Sequence, residues 1–163
     1  MDKKITVKSI TNTYNGNVKI TLLNGEKPYR VINKHNYGTT KFFKYMWRRV
    51  RGDVLNTKVP AYIFACGNGG RLTNYGVVTE GTPSITPTDD STNDNKSTLT
   101  YTFLIPGTIV KGDTITGFEL VSLDLEDTYA VLELDNNSTI TIESTKTNIL
   151  VEWSLVLSNG GEI

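Results

Sequence analysis

The chain has 163 residues, 37% of them hydrophobic and 21% charged, enough to bury a core without disulfides or metal. No apolar run approaches the ~18 residues of a membrane span. "MDKKITVKSI" lacks the apolar stretch of a secretory signal, which predicts a chain that begins life in a cytoplasm, and a single cysteine, Cys66, excludes an intrachain disulfide. Formal net charge is zero, yet residues 1–88 hold 14 Lys/Arg against 4 Asp/Glu and residues 89–163 hold 3 against 13, a division into +10 and −10. Pairing of the two halves within one fold is the expectation; head-to-tail contact between copies is the alternative if the fold separates them.

The chain opens as a three-strand meander over about 4–33: residues 4–13, a turn at Tyr14-Asn15-Gly16-Asn17, "NVKITLL" at 17–23, a turn at Asn24-Gly25, and "KPYRVIN" at 27–33. Asn-Gly between alternating runs marks a hairpin because both residues tolerate positive φ. A short amphipathic helix follows near residues 40–51, "TKFFKYMWRRVR", with Gly38 ending the strand before it and Thr39 or Thr40 able to cap its first turn. Phe42, Phe43, Met46, Trp47 and Val50 form one apolar stripe, which predicts that Phe42, Phe43, Met46 and Trp47 pack the helix onto a sheet. Lys41, Lys44, Arg48 and Arg51 then form a basic face for an acidic partner, and Gly52-Asp53 closes the helix.

Strand texture returns at 59–67, 99–105, 114–123, 128–134, 138–144 and 148–158, with the spacing of an all-β sandwich or barrel. The 24 threonines suit pleated, half-exposed surfaces. In the last strand Ile149, Val151, Trp153, Leu155 and Leu157 share one face, as a strand central to the core requires. "GNGGRLTNYG" at 67–76 and "TPSITPTDDSTNDNKS" at 82–97 read as long surface loops. Arg71, Asn74, Tyr75, Asp89 and Asp90 are the side chains they would offer as contacts. The whole chain, 1–163, reads as a single antiparallel β-sandwich domain.

Catalytic signals are weak. His35 and Cys66 stand alone without the partner a nucleophile and base require, and Cys66 sits in an apolar run as a buried small hydrophobe. "CGNGGRLT" lacks the Gly-Lys-Ser/Thr ending of a phosphate loop, and "DDSTNDN" lacks the glycine and glutamate of an EF-hand, so no metal or cofactor is expected. Glu119, Asp124, Glu126, Asp127 and Glu133 could supply a glycosidase pair, but carboxylates on alternating strands more often form a wet face. A nucleic-acid role for the basic helix, with Tyr37, Tyr45 and Tyr75 stacking, is disfavoured because zero net charge and a pI near 6.6 leave no electrostatic footprint.

The order of segments resembles small structural proteins of tailed bacteriophage virions: "HNYGTTKFFKYMWRRVRGD", then "VPAYIFACGNGG", then "LTYTFLIPG", and a final alternating strand with a Trp, "NILVEWSLVLSN". The likeness runs over roughly residues 31–159. It implies a non-enzymatic, jelly-roll-like β-sandwich made in the host cytoplasm and built into the virion, in tail, collar or baseplate, as an adaptor, ring or fibre-anchoring subunit. Its partners would be copies of itself and other virion proteins, with a host surface glycan as a further candidate. A capsid decoration or head-fibre protein and a stand-alone carbohydrate- or ligand-binding β-sandwich module are the alternatives.

Overall fold

The structure is a computed structural model that describes residues 12–53, 56–78, 88–89 and 96–159. In chain order its elements are β1 (Asn12–Asn24), β2 (Lys27–Gly38), helix α1 (Thr40–Val50), a 3-10 turn (Asn56–Lys58), β3 (Pro60–Gly67), β4 (Gly70–Val78), β5 (Thr88–Asp89) and β6 (Lys96–Ile105). The helical turn α2 (Gly107–Val110), β7 (Thr114–Ile115), β8 (Gly117–Ser122), β9 (Thr128–Glu133), β10 (Ile140–Thr141) and β11 (Thr147–Asn159) complete it. The fold is mainly β, with antiparallel pairing throughout its named ladders.

Nine strands hydrogen-bond in the order β4-β3-β8-β9-β2-β1-β11-β6-β5, and β7 and β10 form a separate pair. The long β2 belongs to two blocks. Its residues 27–36 pair with β1, and Tyr37–Gly38 pair with Val131–Ala130 of β9. Both blocks contribute to one hydrophobic cluster: Val18, Ile20, Phe103, Ile149, Val151 and Trp153 from one, Ile63, Ala65, Phe118, Leu120 and Leu132 from the other. Each large apolar side chain so buried contributes on the order of 1.5–3 kcal/mol. Ile149, Val151 and Trp153 have no exposed surface, and β11 lies between β1 and β6, so its central place agrees with its alternation. The side chains of Leu155 and Leu157 lie outside the described residues.

The structure corrects two turn and loop readings. Asn24-Gly25 does turn between β1 and β2, with Gly25 at φ 63°, but Asn15-Gly16 lies inside the continuous β1. Gly16 serves a close approach instead: a Cβ there would stand 1.8 Å from the Asn36 side-chain amide. That buried amide donates to the Gly16 carbonyl at 3.1 Å and accepts from the Trp153 indole N–H at 3.1 Å. Two polar groups inside the core are thereby satisfied, which burial requires. The stretch 67–76 is a hairpin rather than a loop, for β3 and β4 join through a two-residue turn at Asn68-Gly69. Of 82–97, Thr88–Asp89 form β5 and Lys96-Ser97 open β6; the rest lies outside the described residues, as do residues 4–11 of the expected meander.

The opposite charges of the two sequence halves meet inside the fold. Lys19 pairs with Glu152 at 2.9 Å, Lys34 with Asp135 at 2.6 Å, Lys41 with Asp127 at 2.9 Å, and Arg71 with Glu119 at 2.5 Å. Lys58 contacts Asp124 at 2.7 Å, Asp127 at 3.5 Å, and Glu126. Each of these joins a cation before residue 89 to a carboxylate after it. Antiparallel pairing of β1 with β11, and of β3 with β8, brings the halves side by side and makes this possible.

Candidate functional site: the face of helix α1 and the cleft beside it

Helix α1 is fixed at both ends by its own sequence. At its start the Thr39 hydroxyl accepts from the Phe42 N–H at 3.3 Å and donates to the Thr128 carbonyl at 2.7 Å, while the Thr39 N–H donates to the Tyr129 carbonyl at 2.8 Å. One residue thus caps the helix and ties it to β9. At its end Gly52, at φ 90°, donates to the Arg49 carbonyl at 3.1 Å and Asp53 donates to the Arg48 carbonyl at 2.9 Å. This is a Schellman closure, in which glycine takes the left-handed position.

The face that packs inward differs from the expected stripe. Phe42 is buried, and Tyr45 and Met46 pack partly buried against the core. Phe42 meets the Tyr129 ring edge-on at 6.0 Å, and the Tyr45 and Tyr129 ring centres lie 5.2 Å apart. Trp47, 74% exposed, stands clear of the sheet, and Phe43, 43% exposed, is only partly covered. The inward stripe is 42, 45 and 46, turned by roughly a quarter-turn from the one marked by the most apolar residues. Tyr45 explains the shift, because its ring covers core while its polar tip stays near water, and Arg49 lies over that ring at 6.0 Å. Counting i, i+3, i+4 from Phe42 with Tyr45 as an apolar position would have found it.

The outward face therefore carries Phe43 and Trp47 followed round the helix by Arg51, Lys44, Arg48 and Lys41. Arg51 is held by Asp53 at 2.6 Å and Lys41 by Asp127. Lys44 and Arg48 have no acidic partner among the described residues. Beside this face lies a cleft of about 180 Å³ bordered by Lys41, Lys44, Arg48, Arg49 and Lys58, with Tyr45 and Tyr129 as its aromatic walls. Its two carboxylates, Asp53 and Asp127, are both engaged by cations, which leaves the cleft with a surplus of positive charge.

Lys58, Asp127 and Tyr129 of the cleft belong to a hydrogen-bonded cluster that extends beyond it to Asp124 and Glu126. The Tyr129 hydroxyl donates to the Lys58 carbonyl, and burial raises its pKa. Burial pushes the Asp124 carboxyl up, but hydrogen bonds from Lys58, Ser122 and the Glu126 N–H outweigh it and hold the group at about 2. The Lys41 hydrogen bond, opposed by burial and aided by Lys58, holds Asp127 below the usual carboxylate range. Hydrogen bonds to these carboxylates, first Asp124 and then Glu126, raise the Lys58 ammonium in turn. Lys58 thereby clamps the β8–β9 turn, where Leu125 sits at φ 64°, a left-handed conformation costly for leucine.

The remaining candidates fall elsewhere. Arg71 is not a free contact residue: it pairs with Glu119, donates to the Thr128 hydroxyl at 2.9 Å and lies 4.6 Å over the Phe64 ring. Asn74 and Tyr75 belong to β4 and Asp89 to β5, but their side chains lie outside the described residues, as does all of Asp90. Glu119, Asp124, Glu126 and Asp127 are engaged by Arg71 or Lys58, and Glu133 is exposed. Burial, then Glu119, pushes the half-buried Cys66 thiol up to about 11 against the opposing Arg71. No helix among the described residues is long and apolar enough to cross a membrane. Comparison with known protein families, curated proteins and solved structures finds no match to this chain.

Proposed function

We propose that this chain is a non-enzymatic β-sandwich subunit of a larger assembly that docks on neighbouring subunits through the outward face of α1. The observation that carries this reading is Trp47, 74% exposed beside Phe43 on a helix held rigidly at both ends. Tryptophan and arginine are the residues that most often dominate binding energy at interfaces. Lys44 and Arg48, without carboxylate partners among the described residues, select an acidic surface and steer its approach. The one core shared by both strand blocks supports the sandwich arrangement. The resemblance to phage virion proteins gives the assembly its kind: a tail, collar or baseplate adaptor or ring.

A heterologous contact between copies fits the charges left over. Asp113, Glu133 and Glu143 have no cationic partner among the described residues. They lie at the β7–β10 pair and at the end of β9 remote from α1, which joins that strand at its start, with Lys111 as a cation among them. Contact of a basic patch with a different, acidic patch on the next copy, when it is heterologous, builds rings or filaments. Light scattering at low and high salt tests the proposal: a discrete oligomer that dissociates in high salt, and is already a monomer in Lys44→Glu/Arg48→Glu, is expected. A monomer at both salts would overturn docking between copies.

A further inference from the structure

The outer face of the block containing β2, β1, β11 and β6 carries a pattern that α1 docking does not use. Registers across the four strands align its outward side chains into rows. His35, Asn17, Ser154 and Thr100 form one row, and Asn33, Lys19, Glu152 and Thr102 form the next. The row after these is apolar but for one hydroxyl: Val31, Thr21, Leu150 and Leu104. Val31 and Leu104 are 51% and 47% exposed, and Tyr29, 57% exposed, stands at the bulge beyond them. The polar rows border a groove of about 350 Å³.

The groove is of mixed polarity, and both its lysines are paired, Lys34 with Asp135 outside the groove at 2.6 Å. Lys19 and Glu152 cancel each other at 2.9 Å, and the Thr100 and Ser154 hydroxyls share a hydrogen bond at 2.9 Å. Asn17, Asn33 and His35 are exposed with no side-chain partner among the described residues. Two amides, an imidazole and hydroxyls offer donors and acceptors together, which is what a ligand made of hydroxyl groups requires. In the adjoining row Thr21 is only 6% exposed, and its hydroxyl has no partner among the described residues. Backbone groups here are committed to the ladders, so an added peptide strand, which binds a sheet edge, has nothing to pair with on this face.

We infer that this sheet face is a binding site for a neutral carbohydrate, with sugar hydroxyls on the two polar rows and the C–H face of a ring against Val31, Leu150 and Leu104. Strand spacing of about 4.8 Å is close to the length of one pyranose residue, so adjacent strands meet successive sugars. A floor whose cations are all paired discriminates against acidic glycans, whose carboxylates would find no unpaired lysine there. The site lies on a different surface from α1 and stands or falls independently of the docking role.

NMR titration of the intact protein with a panel of neutral di- to tetrasaccharides of glucose, galactose, mannose and N-acetylglucosamine tests the site. At least one member is expected to produce saturable shifts at residues 17–19, 33–35 and 152–154, with a Kd near or below about 1 mM. Asn17→Ala/Asn33→Ala should weaken binding about tenfold or more without altering the melting temperature, and His35→Ala gives the same direction if the double variant folds poorly. Lys44→Glu/Arg48→Glu should bind as the parent does. Absence of saturation with every panel member up to about 10 mM overturns the inference. So does binding that tolerates loss of both asparagines, that needs Lys44 and Arg48, or that occurs only with an acidic oligosaccharide such as a glucuronate polymer.

Discussion

The two tryptophans occupy opposite extremes of the same molecule. Trp153 lies in a strand with neighbours on both sides, wholly buried, its indole N–H answered by Asn36. Trp47 lies on a helix of 11 residues and is 74% exposed. A strand alternates with period two, so one buried residue fixes the face of all the others. A helix with apolar residues over more than half its circumference leaves its rotation to be decided by packing. The same residue type is therefore a structural anchor in β11 and an offered surface in α1.

Substitutions can break this contrast in order of effect. Trp153→Ala should cost about 3–5 kcal/mol, read by chemical denaturation, because it leaves a large cavity in the core. Asn36→Ala should cost about 1–3 kcal/mol by orphaning the indole N–H and the Gly16 carbonyl. Gly16→Ala should fall in a similar range, about 1–3 kcal/mol, by forcing the Asn36 amide out of place. Trp47→Ala, by contrast, should change the stability of the isolated protein by no more than about 0.5 kcal/mol while abolishing its oligomer. A loss of several kcal/mol at Trp47 would mean that the helix packs through the other stripe.

Acid sharpens the comparison at the level of the ion pairs. Asp124 and Asp135 have folded pKa values of about 2, the first from the opposed effects described above, the second from hydrogen bonds of Lys34 and Ser138. Both lie below the ordinary value of about 3.9, so their contribution is present above about pH 5 and is lost as pH falls toward 2. Melting temperature should decline across that window, and Lys58→Met should flatten the part of the decline due to Asp124. The smallest effect concerns Cys66: with its thiol raised to about 11, it should react with thiol reagents at pH 8 more slowly than a free cysteine.

What was legible in the sequence was what depends on neighbours along the chain. Strand alternation located β3, β6, β8, β9 and β11, Asn24-Gly25 marked a hairpin, and Thr39 with Gly52 bounded α1. The failures came where a distant residue decides. Gly16 reads as a turn until Asn36 is found lying across it. Four glycines at 67–76 read as a loop, although two-residue hairpins use the same residues. At the site, the basic residues of α1 were visible, but Lys58 was not singled out, because only the fold gathers Asp124, Glu126 and Asp127 around it.

The meeting of early cations with late carboxylates has a consequence for the chain in pieces. Divided after residue 88, it yields fragments of net charge +10 and −10 that share the β1–β11 and β3–β8 ladders. Such halves attract over a distance of order 10 Å at ordinary ionic strength. The protein is thus suited to split-fragment complementation, with reassembly fast in dilute buffer and slowed by salt, a property written into the order of its charges along the chain.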